Sequence, residues 1–303
     1  MKNKIIIAGG SGFIGKELSA YYKNQGYSVI VLTRGKSELK NGISFQNWDG
    51  KTLGKWKHLL DGAEILINLT GKSVDCRYTE ENKRLILSSR IDATKILGKA
   101  ISLLEKPPKI WFNASTATIY DYSLTKAMTE EDGDIGHDFS MSVAKAWEET
   151  FFSAQTPNTR KIALRISLVL GKREGVLPVL TKLSKLGLGG CHGNGKQKFA
   201  WIHITDLIRI IEFVKSKESI EGAVNCTSPS EVDNKEFMKA LRKSLGVWFG
   251  IPTPKLLLEI GSFIIQTESE LILKSRFVKP KRLLDSGFQF KFANIDKALK
   301  DLK

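Results

Sequence analysis

Short apolar runs alternate with longer mixed stretches through the first half of the chain. KIIIA (4–8) has no polar residue after Lys4 to mark a solvent face, the pattern of a strand buried on both sides. FIGKELSAYYKN (13–24) returns apolar residues at helical spacing and predicts a helix. The alternation continues with strand patterns at 28–32, 43–46, 64–68, 110–114 and 161–168. Helical patterns lie near 80–104 and over 139–154, the first ended by Pro107 and Pro108. Strands alternating with helices predict an α/β fold, a doubly wound parallel sheet covered on both faces.

The pattern changes after Gly171. The second half mixes helices with short strands near 199–204 and 223–226, and GIPTPK (250–255) opens an apolar helix. This divides the chain into a nucleotide-binding domain over 1–170 and a smaller α/β substrate lobe over 171–303. Segments near 199–226 are expected to return to the first domain.

Composition adds limits. A chain of 303 residues that is 42% hydrophobic has material for a sizeable core. The net charge of +15 raises the question of nucleic acid, but the basic residues are scattered and no aromatic platform interleaves them. No nucleic-acid partner is expected. Cys76, Cys191 and Cys226 lie far apart and form no C-x-x-C pair, so neither a metal site nor a disulfide framework is expected. The run after Lys4 is too short for a signal-peptide core, and the apolar stretch 256–265 is short and broken by Glu259. A cytoplasmic protein without a membrane span is expected, as a monomer or homodimer.

The chemistry starts at GGSGFIG (9–15), between a predicted strand and a predicted helix. Gly9, Gly12 and Gly15 have the spacing of a dinucleotide-binding turn, with Phe13 and Ile14 opening the helix whose N-terminus faces the diphosphate. Where NAD binders carry a carboxylate, the second strand ends in Thr33 and Arg34. A guanidinium there forks onto a 2′-phosphate, which favours NADP over NAD. Asn68, Leu69, Thr70 and Gly71 end the fourth strand, either beside the cofactor or as a plain turn.

These motifs, with NASTATIYD (113–121) and WIHITDL (201–207), resemble extended short-chain dehydrogenase/reductases, a Rossmann-type family that includes nucleotide-sugar epimerases. KLGLGG (185–190), AKAWEE (144–149) and ELILKSRFVKPKRLLDSGFQFKF (270–292) are similar to its atypical epimerase branch. The resemblance covers essentially the whole chain. It implies a hydroxyl residue after the fifth strand and a Tyr-x-x-x-Lys pair on the next helix. That helix, DFSMSVAKAWEE (138–149), has no tyrosine, and Lys145 is off register. Tyr122 and Lys126 have the spacing but sit in a polar, turn-rich stretch, where i and i+4 need not share a face.

Ser115, Thr116 and Tyr120 remain as candidate catalytic residues. Two hydroxyls would polarise a substrate oxygen and the phenol would move a proton. The competing view has the hydroxyls satisfying backbone groups and Tyr120 packed in the core. His203 reads as a packed histidine or an acid–base group, and Asp206 as the cap of a helix near Leu207. Arg84 and Arg90 read as a solvated helix face, or as contacts to the cofactor or an acidic substrate. The expectation is an NADP-dependent oxidoreductase or epimerase acting on a small carbonyl or sugar-like molecule. The alternative is a non-catalytic NADP-binding regulator or scaffold.

Overall fold

The computed structural model describes residues 3–254 and 274–303. The apolar helix expected after GIPTPK falls outside the described residues. The centre of the molecule is an eight-stranded sheet. Strand β1 (Lys4–Ala8) is flanked by β2 (Ser28–Thr33) and β5 (Ile65–Asn68), and all three are parallel. Beyond β5 come β6 (Ile110–Thr116), β7 (Arg160–Ile166) and β10 (Gly222–Cys226). Beyond β2 come β4 (Ile43–Asn47) and the antiparallel β3 (Glu38–Lys40).

Alternation along each buried strand feeds two cores. Ile5 and Ile7 face one layer, with α1 (Phe13–Asn24) and α5 (Ile204–Ser216). Ile6 and Ala8 face the other, with α2 (Glu80–Ile101) and α3 (Phe139–Ser153). Full burial of such a side chain contributes about 1.5–3 kcal/mol, so the strand locks helices onto both faces. The strand order reverses between β1 and β5, which opens a crevice beyond the carboxyl ends of the strands.

The expected strand at 161–168 is two strands. Ser167 bends the chain, its hydroxyl bonded to Cys226 O at 3.0 Å, and β8 (Leu168–Leu170) leaves to pair with β9 (Trp201–His203). A third core joins α4 (Leu177–Lys185), α6 (Asn234–Leu245) and α8 (Ile295–Asp301). Helix α6 starts at a reciprocal capping box, Asp233 with Glu236, and ends at Gly246 with φ 73°. The short α7 (Lys281–Asp285) sits beside β10, where Arg282 Nη1 donates to Ala223 O at 2.6 Å. No described helix is long and apolar enough to cross a membrane.

Candidate functional site

Between β1 and α1 the backbone turns through Gly9 at φ 74°. A Cβ there would lie 2.9 Å from Thr70 N, so only glycine lets this turn meet the loop after β5. A Cβ on Gly15 would lie 2.4 Å from Gly10 Cα and lift α1 off the turn. Gly12 meets nothing within 4 Å and leaves an open cradle. Helix α1 has no side-chain cap at Gly12 and no acidic residue in its first turn. Its leading amides are therefore left for an anion, helped by the helix dipole.

The cradle forms one end of a cavity of about 500 Å³. Gly9, Gly12, Phe13, Ile14, Gly15 and Leu69 line that end. Ser115 and Thr116, at the tip of β6, line it further along, and Phe139, Ser140, Val143, Ala144 and Trp147 of α3 form a wall. The positions on α3 where the resemblance implies tyrosine and lysine thus hold Phe139 or Ser140, and Val143 or Ala144. None of these four side chains titrates.

The two hydroxyls differ in polarity. Ser115 Oγ donates to Glu148 Oε1 at 2.5 Å. Arg165 fixes that carboxylate from the other side, Nε to Oε1 at 2.9 Å and Nη2 to Oε2 at 2.7 Å. Ser115, Glu148 and Arg165 are all buried, where such a paired charge is strongly held. Burial opposes the guanidinium charge, but the bonds to Glu148 carry Arg165 above its ordinary pKa. With its hydrogen committed, Ser115 has only lone pairs to offer the cavity. Thr116 Oγ1 accepts from Thr118 N at 3.1 Å, which leaves its hydrogen for another acceptor.

Tyr120 does not reach the cavity, which corrects the expectation that its phenol moves a substrate proton. It is buried, receives a bond from Arg165 Nη1 at 2.6 Å and donates to Asn225 Oδ1 at 2.9 Å. Burial pushes its pKa up. Asn68 is likewise turned inward. Its side chain donates to Asn113 Oδ1 at 2.6 Å and accepts from Thr70 N at 3.1 Å, so it shapes the loop through Thr70 and Gly71. Thr33 and Arg34 sit at the tip of β2, where Arg34 is exposed and Thr33 Oγ1 accepts from Gly35 N at 3.2 Å.

Tyr122 and Lys126 lie on an exposed loop, where Lys126 pairs with Asp134 at 2.6 Å. His203 is packed: its ring stacks on Phe292, and Nδ1 caps α5 by accepting from Thr205 N at 3.1 Å. Burial lowers its pKa. Asp206 is not the cap that the sequence suggested. Its carboxylate accepts from Lys291 N at 2.9 Å and Phe292 N at 2.7 Å, tying the C-terminal segment to α5.

Sequence reasoning missed Glu148 and Arg165 as site residues, and for Arg90 it left a solvated helix face and a ligand contact both open. A charged residue inside the buried strand pattern KIALRIS (161–167) was the available signal for Arg165, because such a charge needs a partner. Arg90 is no solvated helix residue: it is half-buried and lines the cavity beside Trp147.

Residues 5–226 match the NAD dependent epimerase/dehydratase family, and residues 253–302 match a domain of unknown function, DUF1731. The chain is 32% identical over 300 residues to the epimerase family protein YfhF of Bacillus subtilis, covering 98% of this chain and 97% of the other. It is similar to the crystal structure of human epimerase family protein SDR39U1 (isoform 2) with NADPH, with a TM-score of 0.88 and 28% identity over 99% of this chain and 98% of that one. UDP-N-acetylglucosamine 4-epimerase from Bacillus cereus shares the fold, with a TM-score of 0.78 at 17% identity over 99% of this chain and 98% of that one.

Proposed function

Because the chain belongs to the NAD dependent epimerase/dehydratase family, we propose that it is an NADP-dependent oxidoreductase or epimerase acting on a small carbonyl or sugar-like molecule. One observation carries this reading: a single cavity runs from the uncapped start of α1 to the Ser115 and Thr116 hydroxyls. The residues present fit the cofactor. The open cradle at Gly12 and the free amides of α1 suit a diphosphate, and Arg34 with no neighbouring acid on β2 suits a 2′-phosphate. A relative solved with NADPH supports the same choice.

When bound, the nicotinamide supplies or takes hydride at a substrate carbon. The chain's own residues handle the oxygen. Thr116 donates its free hydrogen to that oxygen when it is a carbonyl. Ser115 accepts from a substrate hydroxyl, and as it takes that proton its own passes to Glu148 Oε1. Arg165 holds Glu148 in line throughout. The dry wall of Phe139, Val143 and Ala144 keeps the exchange from bulk water.

The decisive assay follows NADPH oxidation, NADP reduction and change of stereochemistry across a broad panel of carbonyl compounds and sugars. Turnover that falls in Ser115→Ala and Thr116→Val supports the reading. The missing tyrosine and lysine on α3 favour a second reading, an NADP-holding protein without turnover. Tight NADPH binding with no turnover anywhere on the panel would decide for it.

A further inference from the structure

Among the described residues lining the cavity, Arg90 alone carries a formal charge. The surroundings hold it in place without neutralising it. Its Nη1 donates to Ile86 O at 2.8 Å and to Lys72 O at 3.1 Å. Its guanidinium lies over the Trp147 ring, 5.1 Å from the centroid. Gly71 makes room beneath, since a Cβ there would lie 2.9 Å from Arg90 Cζ. No carboxylate among the described residues pairs with Arg90, and its Nε and Nη2 donate to none of them. Desolvation lowers its pKa to about 10, which still leaves it charged at neutral pH.

A half-buried cation without a counter-ion is costly unless an anion arrives with the ligand. The diphosphate already has its own place at the start of α1. The Nε and Nη2 donors along one edge of the guanidinium match the two oxygens of a carboxylate or the edge of a phosphate. The geometry points to Arg90 as the anchor for a carboxylate or phosphate carried by the substrate, whose reacting oxygen then lies toward Ser115 and Thr116. This rests on the reading of the cavity as a substrate site and narrows the substrate class to small organic anions. Arg90 is a binding residue in it, and Trp147 and Gly71 position it.

Calorimetric titrations test this with glucuronate against glucose and glycerol 3-phosphate against glycerol, each with and without saturating NADPH. The wild-type protein is expected to bind one anion about tenfold or more tightly than its neutral counterpart. Which pair shows the preference separates carboxylate from phosphate. Arg90→Gln is expected to erase the preference and leave NADPH affinity unchanged. Arg90→Lys is expected to keep part of it, because a point charge replaces the fork. Absence of any preference in the wild type overturns the assignment, as does a preference that survives in Arg90→Gln. Equal loss of NADPH affinity in that variant would assign the guanidinium to the cofactor instead. None of these titrations reads turnover, so they stand apart from the oxidoreductase assay.

Discussion

Glu148 sets what Ser115 can do. A serine that donates to a fixed carboxylate meets its ligand as an acceptor, whereas Thr116 meets it as a donor. The same carboxylate neutralises Arg165, so Glu148→Ala leaves a buried charge without a partner. It is expected to lower unfolding free energy by about 3–5 kcal/mol in urea titrations. Replacing both partners by Leu and Met is expected to restore much of that stability. At the β2 tip, Arg34→Ser is expected to weaken NADPH binding about tenfold and to leave NADH binding unchanged. Parallel weakening of both would remove Arg34 from recognition of the 2′-phosphate.

The elements hold these residues through contacts that glycine alone permits. Gly15→Ala forces Cβ into the Gly10 backbone. By analogy with overpacked cores it is expected to cost about 1–3 kcal/mol of thermal stability and to weaken NADPH binding, both measured by scanning calorimetry and titration. The central strands β1 and β5 were legible in the sequence because burial on both faces writes continuous apolar runs. The Gly9–Gly15 turn was legible because its spacing is local. The hairpin strand β3 was not, since Glu38, Leu39 and Lys40 are all exposed and three residues are too few to establish a period. Glu148 and Arg165 were hidden for another reason. Their partners come from other elements, and helical periodicity reports a face without saying what packs on it. Asp206 looked like a cap because it stands near a helix start, yet its acceptors serve backbone amides at the far end of the chain.

At the scale of the molecule, two buried histidines tie stability to pH. His192 and His203 both have pKa values lowered from 6.5 by burial, so the folded state holds them neutral. The unfolded chain binds their protons first, and stability therefore rises with pH through that region. Urea midpoints are expected to fall as pH drops from neutral through about 6.5 toward the lowered folded values. Each histidine contributes roughly 1.4 kcal/mol to that loss for every tenfold by which folding weakens its hold on the proton. A midpoint flat over that window would mean that the folded state holds both rings charged as readily as water does. The +15 charge is distributed over a chain whose cavity offers an anion two receptive ends, the start of α1 and Arg90. Calorimetric titration of the wild-type protein with NADPH and with NADH tests the central claim most directly. The expected result is saturable, one-to-one uptake of NADPH with NADH bound more weakly; folded protein that takes up neither would contradict it.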